Sequence, residues 1–147
     1  MAVAERTADV TWNGDLMSGG GTLTTVSSGI LTDTPVTWAS RTEAPAGKTS
    51  PEELLAASHA ACFAMAFSAT LARGRTPSER LHVTATASLD RADPGFKVTG
   101  MALTVRGRVP GLDQAGFEEA AKTAEQGCPI SNALRNNVQI TVTATLE

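Results

Sequence analysis

The spacing of hydrophobic and polar residues along the chain predicts several short strands. Alternating apolar and polar residues indicate a half-buried strand, as do Thr-, Val- and Trp-rich runs between turn signals. Strands are predicted over residues 8–13, 20–27, 34–42, 81–90, 96–108 and 138–146. The turn signal Asp93-Pro94-Gly95 predicts a hairpin between the fourth and fifth of these strands.

One long segment does not alternate and predicts a helix instead. From Leu54 to Leu71 there is no charged side chain, and apolar residues occur on every helical face. Three residues before it are typical of a helix start, since together they supply an N-cap, a first-turn proline and a capping-box glutamate: Ser50, Pro51 and Glu53. We therefore predict a helix from Pro51 to about Ala72.

The apolar surface of this helix also predicts an oligomer. A helix that is apolar on all sides is expected to be buried. With ~22 residues it would extend over ~33 Å, about the width of a small domain. One subunit of this size could hardly cover it on all sides, so we expect a homodimer.

The remaining elements complete a mixed fold. A second helix is predicted from Leu112 or Asp113 to Gln126, followed by a short segment that starts at Cys128. The order of elements is three strands, a helix, a hairpin, a helix and a last strand. This order indicates a single α+β domain over residues 1–147 with largely antiparallel sheets.

Composition and charge exclude several classes of function. The chain has 147 residues, 41% of them hydrophobic, and a net charge of −3, which does not favour nucleic acid or an anionic membrane as a partner. Charged residues near the N-terminus argue against a signal peptide, and no apolar run approaches the ~20 residues of a membrane span. We expect a cytoplasmic protein.

The two cysteines, Cys62 and Cys128, are the main candidates for chemistry. Cytoplasmic thiols are kept reduced, so they are inert, metal-binding or catalytic rather than a permanent disulfide. Cys62 lies in the apolar helix, where burial alone favours an inert thiol unless a cation such as Arg41 is close. Cys128 precedes Pro129, and this pattern fits a helix N-cap that stabilises a thiolate as well as it fits a loop cysteine.

Other candidate sites have weaker patterns. His59 and Cys62 would share a helix face and could bind a metal with Cys128 and His82, but no metal-binding spacing such as C-x-x-C is present. Gly19-Gly20-Gly21 precedes a strand, so a phosphate-binding loop is not expected. We interpret the aromatic residues and the helical methionine as packing residues: Trp12, Trp38, Phe63, Met65 and Phe67. For the two tryptophans, the alternative is that either borders a hydrophobic site.

Three motifs together resemble the OsmC/Ohr family of thiol peroxidases. They are Thr49-Ser50-Pro51-Glu52-Glu53-Leu54-Leu55, His59-Ala60-Ala61-Cys62-Phe63 and Gly127-Cys128-Pro129-Ile130-Ser131. The second is most similar to the osmotically inducible OsmC branch. The resemblance extends over nearly the whole chain through Trp12-x-Gly14-Asp15, the predicted strand end Ser40-Arg41, Leu89-Asp90 and Val109-Pro110-Gly111.

The resemblance implies a fold and an activity. The implied fold is an intertwined α+β homodimer, with antiparallel sheets wrapped around long central helices. The implied activity is a thiol-dependent peroxidase that reduces organic hydroperoxides, and hydrogen peroxide less well, in the response to oxidative or osmotic stress. No metal or organic cofactor is expected.

The resemblance also assigns roles to four residues. Cys62 matches the peroxidatic cysteine, Cys128 the resolving cysteine, Arg41 the catalytic arginine and Glu52 its partner glutamate. The implied cycle passes through a Cys62 sulfenic acid and a Cys62–Cys128 disulfide, which a lipoyl protein, thioredoxin or a small thiol reopens. The alternatives are a non-catalytic redox sensor or ligand-binding module on the same fold, and a structural zinc protein.

The spacing of Glu52 and Cys62 constrains how the four residues meet. Ten residues along a straight helix correspond to ~15 Å, and the two side chains point ~80° apart. If all four residues act together, the Arg41–Glu52 pair most simply comes from the other subunit, with the central helices antiparallel.

Overall fold

The computed structural model describes all residues, 1–147, and they form two compact units, residues 1–54 and 55–147. The single domain over residues 1–147 stays a prediction. The elements in chain order are β1 (Ala8–Asn13), β2 (Gly20–Val26), β3 (Thr32–Val36), α1 (Trp38–Thr42), α2 (Pro51–Arg73), β4 (Arg80–Arg91), β5 (Phe96–Arg108), α3 (Gln114–Gly127), α4 (Pro129–Leu134) and β6 (Gln139–Leu146).

The first unit contains an antiparallel sheet in the order β1-β2-β3, which agrees with the predicted strands except at its end. The predicted strand 34–42 is wrong after Val36, because residues Trp38–Thr42 form α1. Thr37 and Ser40 cap this helix reciprocally, with Ser40 N–H donating to Thr37 Oγ1 over 3.1 Å. This capping outweighs the strand propensity of Val and Trp, so Ser40 and Arg41 lie in a helix rather than at a strand end.

The long helix α2 has the predicted bounds and buries one face. Its N-terminus is capped as expected, since the Glu53 N–H donates to Ser50 Oγ over 3.1 Å. The fully buried residues of the helix recur every fourth position: His59, Phe63, Phe67 and Leu71. Most of the rest of its surface is exposed in the single chain, and the Met65 side chain is 68% exposed. This exposure agrees with the expectation that one subunit cannot cover the helix.

The length and composition of α2 would allow it to cross a membrane. The expectation that no segment approaches a membrane span is therefore wrong by these criteria. Alanine fills much of the helix and keeps the mean hydropathy high even where single residues are small or polar. The core helix of a water-soluble protein has the same composition, so this property by itself assigns no membrane.

The second unit contains a mixed sheet in the order β4-β5-β6. The predicted hairpin is confirmed, since β4 and β5 pair antiparallel from Arg80↔Arg108 to Arg91↔Phe96. The last strand differs from the expected antiparallel arrangement, because β6 pairs parallel to β5. A parallel neighbour needs a long crossover connection, and α3 and α4 provide it between Arg108 and Gln139.

The core of this unit lies between α2, α3 and one face of the mixed sheet. The Phe67 ring packs between two other rings, with centroids 5.6 Å from Phe63 and 4.9 Å from Phe117. Gly107 on β5 makes room for Phe117, since a Cβ at this position would lie 2.6 Å from the Phe117 ring. The Gln114 side chain fixes the start of α3 to β6 by donating to the Ala144 carbonyl and accepting from the Leu146 N–H.

Candidate active site

Two thiols from different elements meet beside this core. Cys62 lies in α2, next to the buried face of this helix, and Cys128 lies between α3 and α4. Their Sγ atoms are 3.3 Å apart, which is hydrogen-bonding distance for sulfur and longer than the ~2.05 Å of a disulfide bond. Cys62 is half-buried, whereas Cys128 is 0% exposed. A reagent from solvent can therefore reach Cys62 more readily than Cys128.

The backbone around Cys128 directs its thiol towards Cys62. The Cys128 N–H donates to the Glu125 carbonyl at the end of α3, and the Cys128 carbonyl accepts from Asn132 N–H in α4. Cys128 is the N-cap of α4 with Pro129 at the first helical position, which is one of the two interpretations that the sequence left open. Its side chain makes no capping hydrogen bond, so the sulfur remains available to Cys62.

The surroundings of Cys62 favour the protonated form of its thiol. Burial raises the pKa of the Cys62 thiol above its ordinary value, and the adjacent Cys128 thiol raises this pKa further. The backbone N–H of Ile130 acts in the opposite direction by hydrogen bonding to the Cys62 sulfur. The first turn of α4 therefore assists the Cys62 thiolate. No cation is among the groups that set this pKa.

A second buried pair lies one helical turn from each thiol. His59 Nε2 and Ser131 Oγ are 2.8 Å apart, and both residues are 0% exposed. Burial lowers the pKa of His59 below its usual value, opposed by the charge of Glu125, so the imidazole is neutral. The other ring nitrogen, Nδ1, is buried without a hydrogen-bond partner.

Arg41 and Glu52 form an ion pair in the first unit. The Arg41 Nε and Nη2 atoms both donate to Glu52 Oε1, over 2.9 and 2.7 Å. The guanidinium carbon also lies 5.8 Å from the centroid of the Trp38 ring. Glu52 Oε2 is buried without a hydrogen-bond partner. The carboxylate therefore orients the guanidinium through a single oxygen.

The structure thus brings the four predicted residues together as two pairs, Cys62 with Cys128 and Arg41 with Glu52. It does not assemble the metal site considered from the sequence. His82 is exposed on β4, His59 is bonded to Ser131, and no group of three or more His, Cys, Asp or Glu side chains is arranged to hold a metal ion.

Sequence reasoning missed the role of His59 and Ser131 as a buried pair. A signal for the burial of His59 was present, because His59 stands four residues before Phe63 in the same spacing that links Phe63, Phe67 and Leu71. Nothing comparable marked Ser131 as its partner, since the two residues are 72 positions apart.

Comparison with known proteins assigns this chain to a family. The model of the family described as OsmC-like protein matches residues 44–143, which include both thiols and Glu52. The chain is also 42% identical to Peroxiredoxin OsmC of Escherichia coli K12 over 130 residues, covering 88% of this chain and 89% of that protein. The chain belongs to the OsmC-like family. An organic hydroperoxide resistance protein of Xanthomonas axonopodis pv. citri is 36% identical over 97 residues, 65% of this chain and 66% of that protein.

Solved structures of OsmC-like proteins have the same fold. A Legionella pneumophila protein, described as an organic hydroperoxide resistance protein OsmC, has a TM-score of 0.71 and 27% identity, with 99% of each chain covered. The organic hydroperoxide resistance protein OhrB of Bacillus subtilis has a TM-score of 0.68 and 29% identity, with 96% of this chain and 98% of that chain covered. The OsmC-like α+β fold predicted from the sequence is confirmed.

Proposed function

We propose that this OsmC-like protein is a cysteine-based peroxidase that reduces hydroperoxides, with organic hydroperoxides as its preferred substrates. The observation that carries the proposal is the 3.3 Å contact between a half-buried Cys62 sulfur and a fully buried Cys128 sulfur. A peroxidase of this type needs one thiol that the substrate can reach and a second thiol close enough to form a disulfide with it. The related peroxiredoxin and organic hydroperoxide resistance proteins support the same activity.

The reaction divides between the two thiols. The Cys62 thiolate attacks one oxygen of the peroxide, the O–O bond breaks, and the alkoxide leaves as an alcohol after taking up a proton. Cys62 then carries a sulfenic acid. The Cys128 sulfur, already in contact with Cys62, attacks this sulfur and displaces the hydroxyl as water. The peroxide has taken two electrons from the pair of thiols, and an external dithiol must supply two electrons to reduce the resulting Cys62–Cys128 disulfide.

Arg41 is the cation proposed for the first step. Burial raises the pKa of Cys62, and none of the groups that set this pKa within the chain is a cation. Arg41 is always charged, and Glu52 holds it through one carboxylate oxygen, which leaves part of the planar guanidinium free for a thiolate. Because Glu52 stands ~15 Å before Cys62 along α2, we assign the Arg41–Glu52 pair that serves each Cys62 to the other subunit.

The proposed assembly is a homodimer built on the exposed face of α2. The small and apolar side chains on this face are Ala57, Ser58, Ala61, Met65, Ser68, Ala69 and Ala72. A contiguous apolar face of this kind on a helix is typical of an interaction surface. A second copy of α2 would cover it and would bring the two halves of the proposed site into one assembly.

The apolar side chains around Cys62 support the choice of substrate. Ala66 on α2 and Ile130 on α4 are partly buried and pack, like Cys62, against the hydrophobic core, and α2 carries no acidic residue between Glu53 and its C-terminus. An alkyl or aryl peroxide gains free energy from such surroundings, whereas hydrogen peroxide does not. The reductant is proposed to be a dithiol: a lipoyl protein, thioredoxin or a small thiol. A cytoplasmic location and a role in osmotic stress stay predictions.

Turnover separates the peroxidase from its main alternative, a redox sensor with the same cysteine chemistry. The test is steady-state consumption of cumene hydroperoxide and hydrogen peroxide with a panel of dithiols as reductants. A peroxidase consumes many equivalents of peroxide per subunit with at least one dithiol. Consumption that stops at one equivalent with every reductant would identify a sensor instead.

A further inference from the structure

The pair His59 and Ser131 connects the two helices that carry the thiols. His59 stands three residues before Cys62 in α2, and Ser131 stands three residues after Cys128 in α4. Their 2.8 Å hydrogen bond therefore joins α2 to α4 one turn away from each sulfur. The α2 and α4 segments are also linked by the contact between the thiols and by the hydrogen bond from the Ile130 N–H to the Cys62 sulfur.

The location of this bond makes it a firm constraint. Both residues are 0% exposed, so water cannot replace either partner if the bond is broken. His59 is held through Nε2 alone, because Nδ1 has no hydrogen-bond partner. Its neutral form needs no counter-ion, which suits a buried position.

The other side of α4 is fixed to α3. The Arg135 guanidinium at the end of α4 pairs with the Glu125 carboxylate over 3.0 Å. The six-residue helix α4 is thus held at its C-terminal end by an ion pair and in its first turn by the bond to His59. The Cys128 sulfur lies at the start of this first turn, so the bond to His59 restrains the position of this sulfur.

We propose that His59 and Ser131 are positioning residues for the second chemical step, in which Cys128 attacks the Cys62 sulfenic acid. This inference rests on the proposed peroxidase function. In that step the sulfur–sulfur bond forms as the Cys62 S–O bond breaks, and water leaves with the proton of Cys128. The two sulfurs approach from 3.3 Å to ~2.05 Å along a defined direction, and holding reactants in such a geometry accelerates the reaction between them.

The proposal predicts that removing the bond slows the second step and leaves the first step nearly unchanged. After reaction with one equivalent of cumene hydroperoxide, rapid quenching, sulfenic acid trapping and mass spectrometry would follow the sulfenic acid and the disulfide over time. Ser131→Ala should form the sulfenic acid within about twofold of the wild-type rate and the disulfide about tenfold more slowly. With excess peroxide it should also accumulate Cys62 sulfinic acid, because the sulfenic acid persists.

Two substitutions of His59 form a matched pair that does not depend on Ser131→Ala folding. His59→Gln retains a hydrogen-bonding group near the position of Nε2, whereas the shorter His59→Asn retains one only near Nδ1. We expect near-normal disulfide formation in His59→Gln and slow formation in His59→Asn. Thr70→Ala removes a half-buried hydroxyl from the same helix and should change neither step.

A purely structural role would give a different pattern. Val105→Ala weakens the core of the same unit without touching the pair, and its unfolding midpoint can be compared with that of Ser131→Ala. Equal slowing of disulfide formation in Val105→Ala, or wild-type disulfide formation in Ser131→Ala and His59→Asn, would overturn the inference. Failure of the wild-type protein to consume peroxide or to form the disulfide would instead refute the proposed function.

Discussion

Substitution of Met65 by aspartate tests the surface on which the proposed homodimer is built. Met65 is 68% exposed in the single chain and lies in the middle of the uncovered face of α2. Burying a methionine side chain contributes ~1.5–3 kcal/mol, so its loss costs ~2 kcal/mol per subunit. In a twofold symmetric dimer the substitution counts twice, for a total of ~4 kcal/mol. Since ~1.4 kcal/mol corresponds to a tenfold change, the dimer Kd should rise about 1,000-fold.

Sedimentation velocity over a range of protein concentrations measures this effect. We expect a dimer for the wild-type protein and a monomer for Met65→Asp at micromolar concentration, with unchanged helical circular dichroism. Ala115→Asp is the matched control, because it places the same charge on the exposed surface of α3. A wild-type protein that is monomeric at every concentration, or a Met65→Asp variant that dimerises as tightly as the wild type, would refute the reasoning.

Three further predictions concern the site itself. Mixing Cys62→Ser subunits with Arg41→Ala subunits, each nearly inactive alone, should restore one working centre per heterodimer, and persistent inactivity would rule out a shared site. The kcat/KM for cumene hydroperoxide should exceed that for hydrogen peroxide tens-fold, from ~2 kcal/mol of apolar burial, and equal values would count against a hydrophobic pocket. Burial lowers the pKa of His59 in the folded chain, and the charge of Glu125 partly opposes this shift. As the pH falls below ~6.5, His59 is therefore protonated in the unfolded chain before it is protonated in the folded chain. The free energy of unfolding should therefore decrease with falling pH, by at most ~1.4 kcal/mol per pH unit for this group, and His59→Gln should remove that part of the dependence in chemical denaturation.

The sequence predicted the elements whose signals are local. Ser50, Pro51 and Glu53 marked the start of α2, and Asp93-Pro94-Gly95 marked the hairpin turn, because capping and turn chemistry depend on neighbouring residues. Pro129 indicated a helix N-cap at Cys128 for the same reason, and the structure confirms this one of the two interpretations that the sequence left open.

The features that the sequence did not predict depend on longer-range structure or on competing local preferences. The segment Trp38–Thr42 contains residues that favour strands, but the reciprocal capping hydrogen bonds between Thr37 and Ser40 stabilise a helix instead. The alternation in β6 is the same for either strand direction, so it contains no information on the parallel pairing with β5. The bond between His59 and Ser131 joins residues far apart in sequence, and only the packing of α4 against α2 creates it.

The measurement that tests the central claim most directly is peptide mass spectrometry after one equivalent of cumene hydroperoxide. The wild-type protein should contain one Cys62–Cys128 disulfide per subunit and have released one equivalent of cumyl alcohol. Cys128→Ser should react once and retain a trappable sulfenic acid on Cys62, whereas Cys62→Ser should consume no peroxide. Peroxide consumption by Cys62→Ser at the wild-type rate, or a sulfenic acid that appears on Cys128 in the wild-type protein, would contradict the assignment of Cys62 as the attacking thiol.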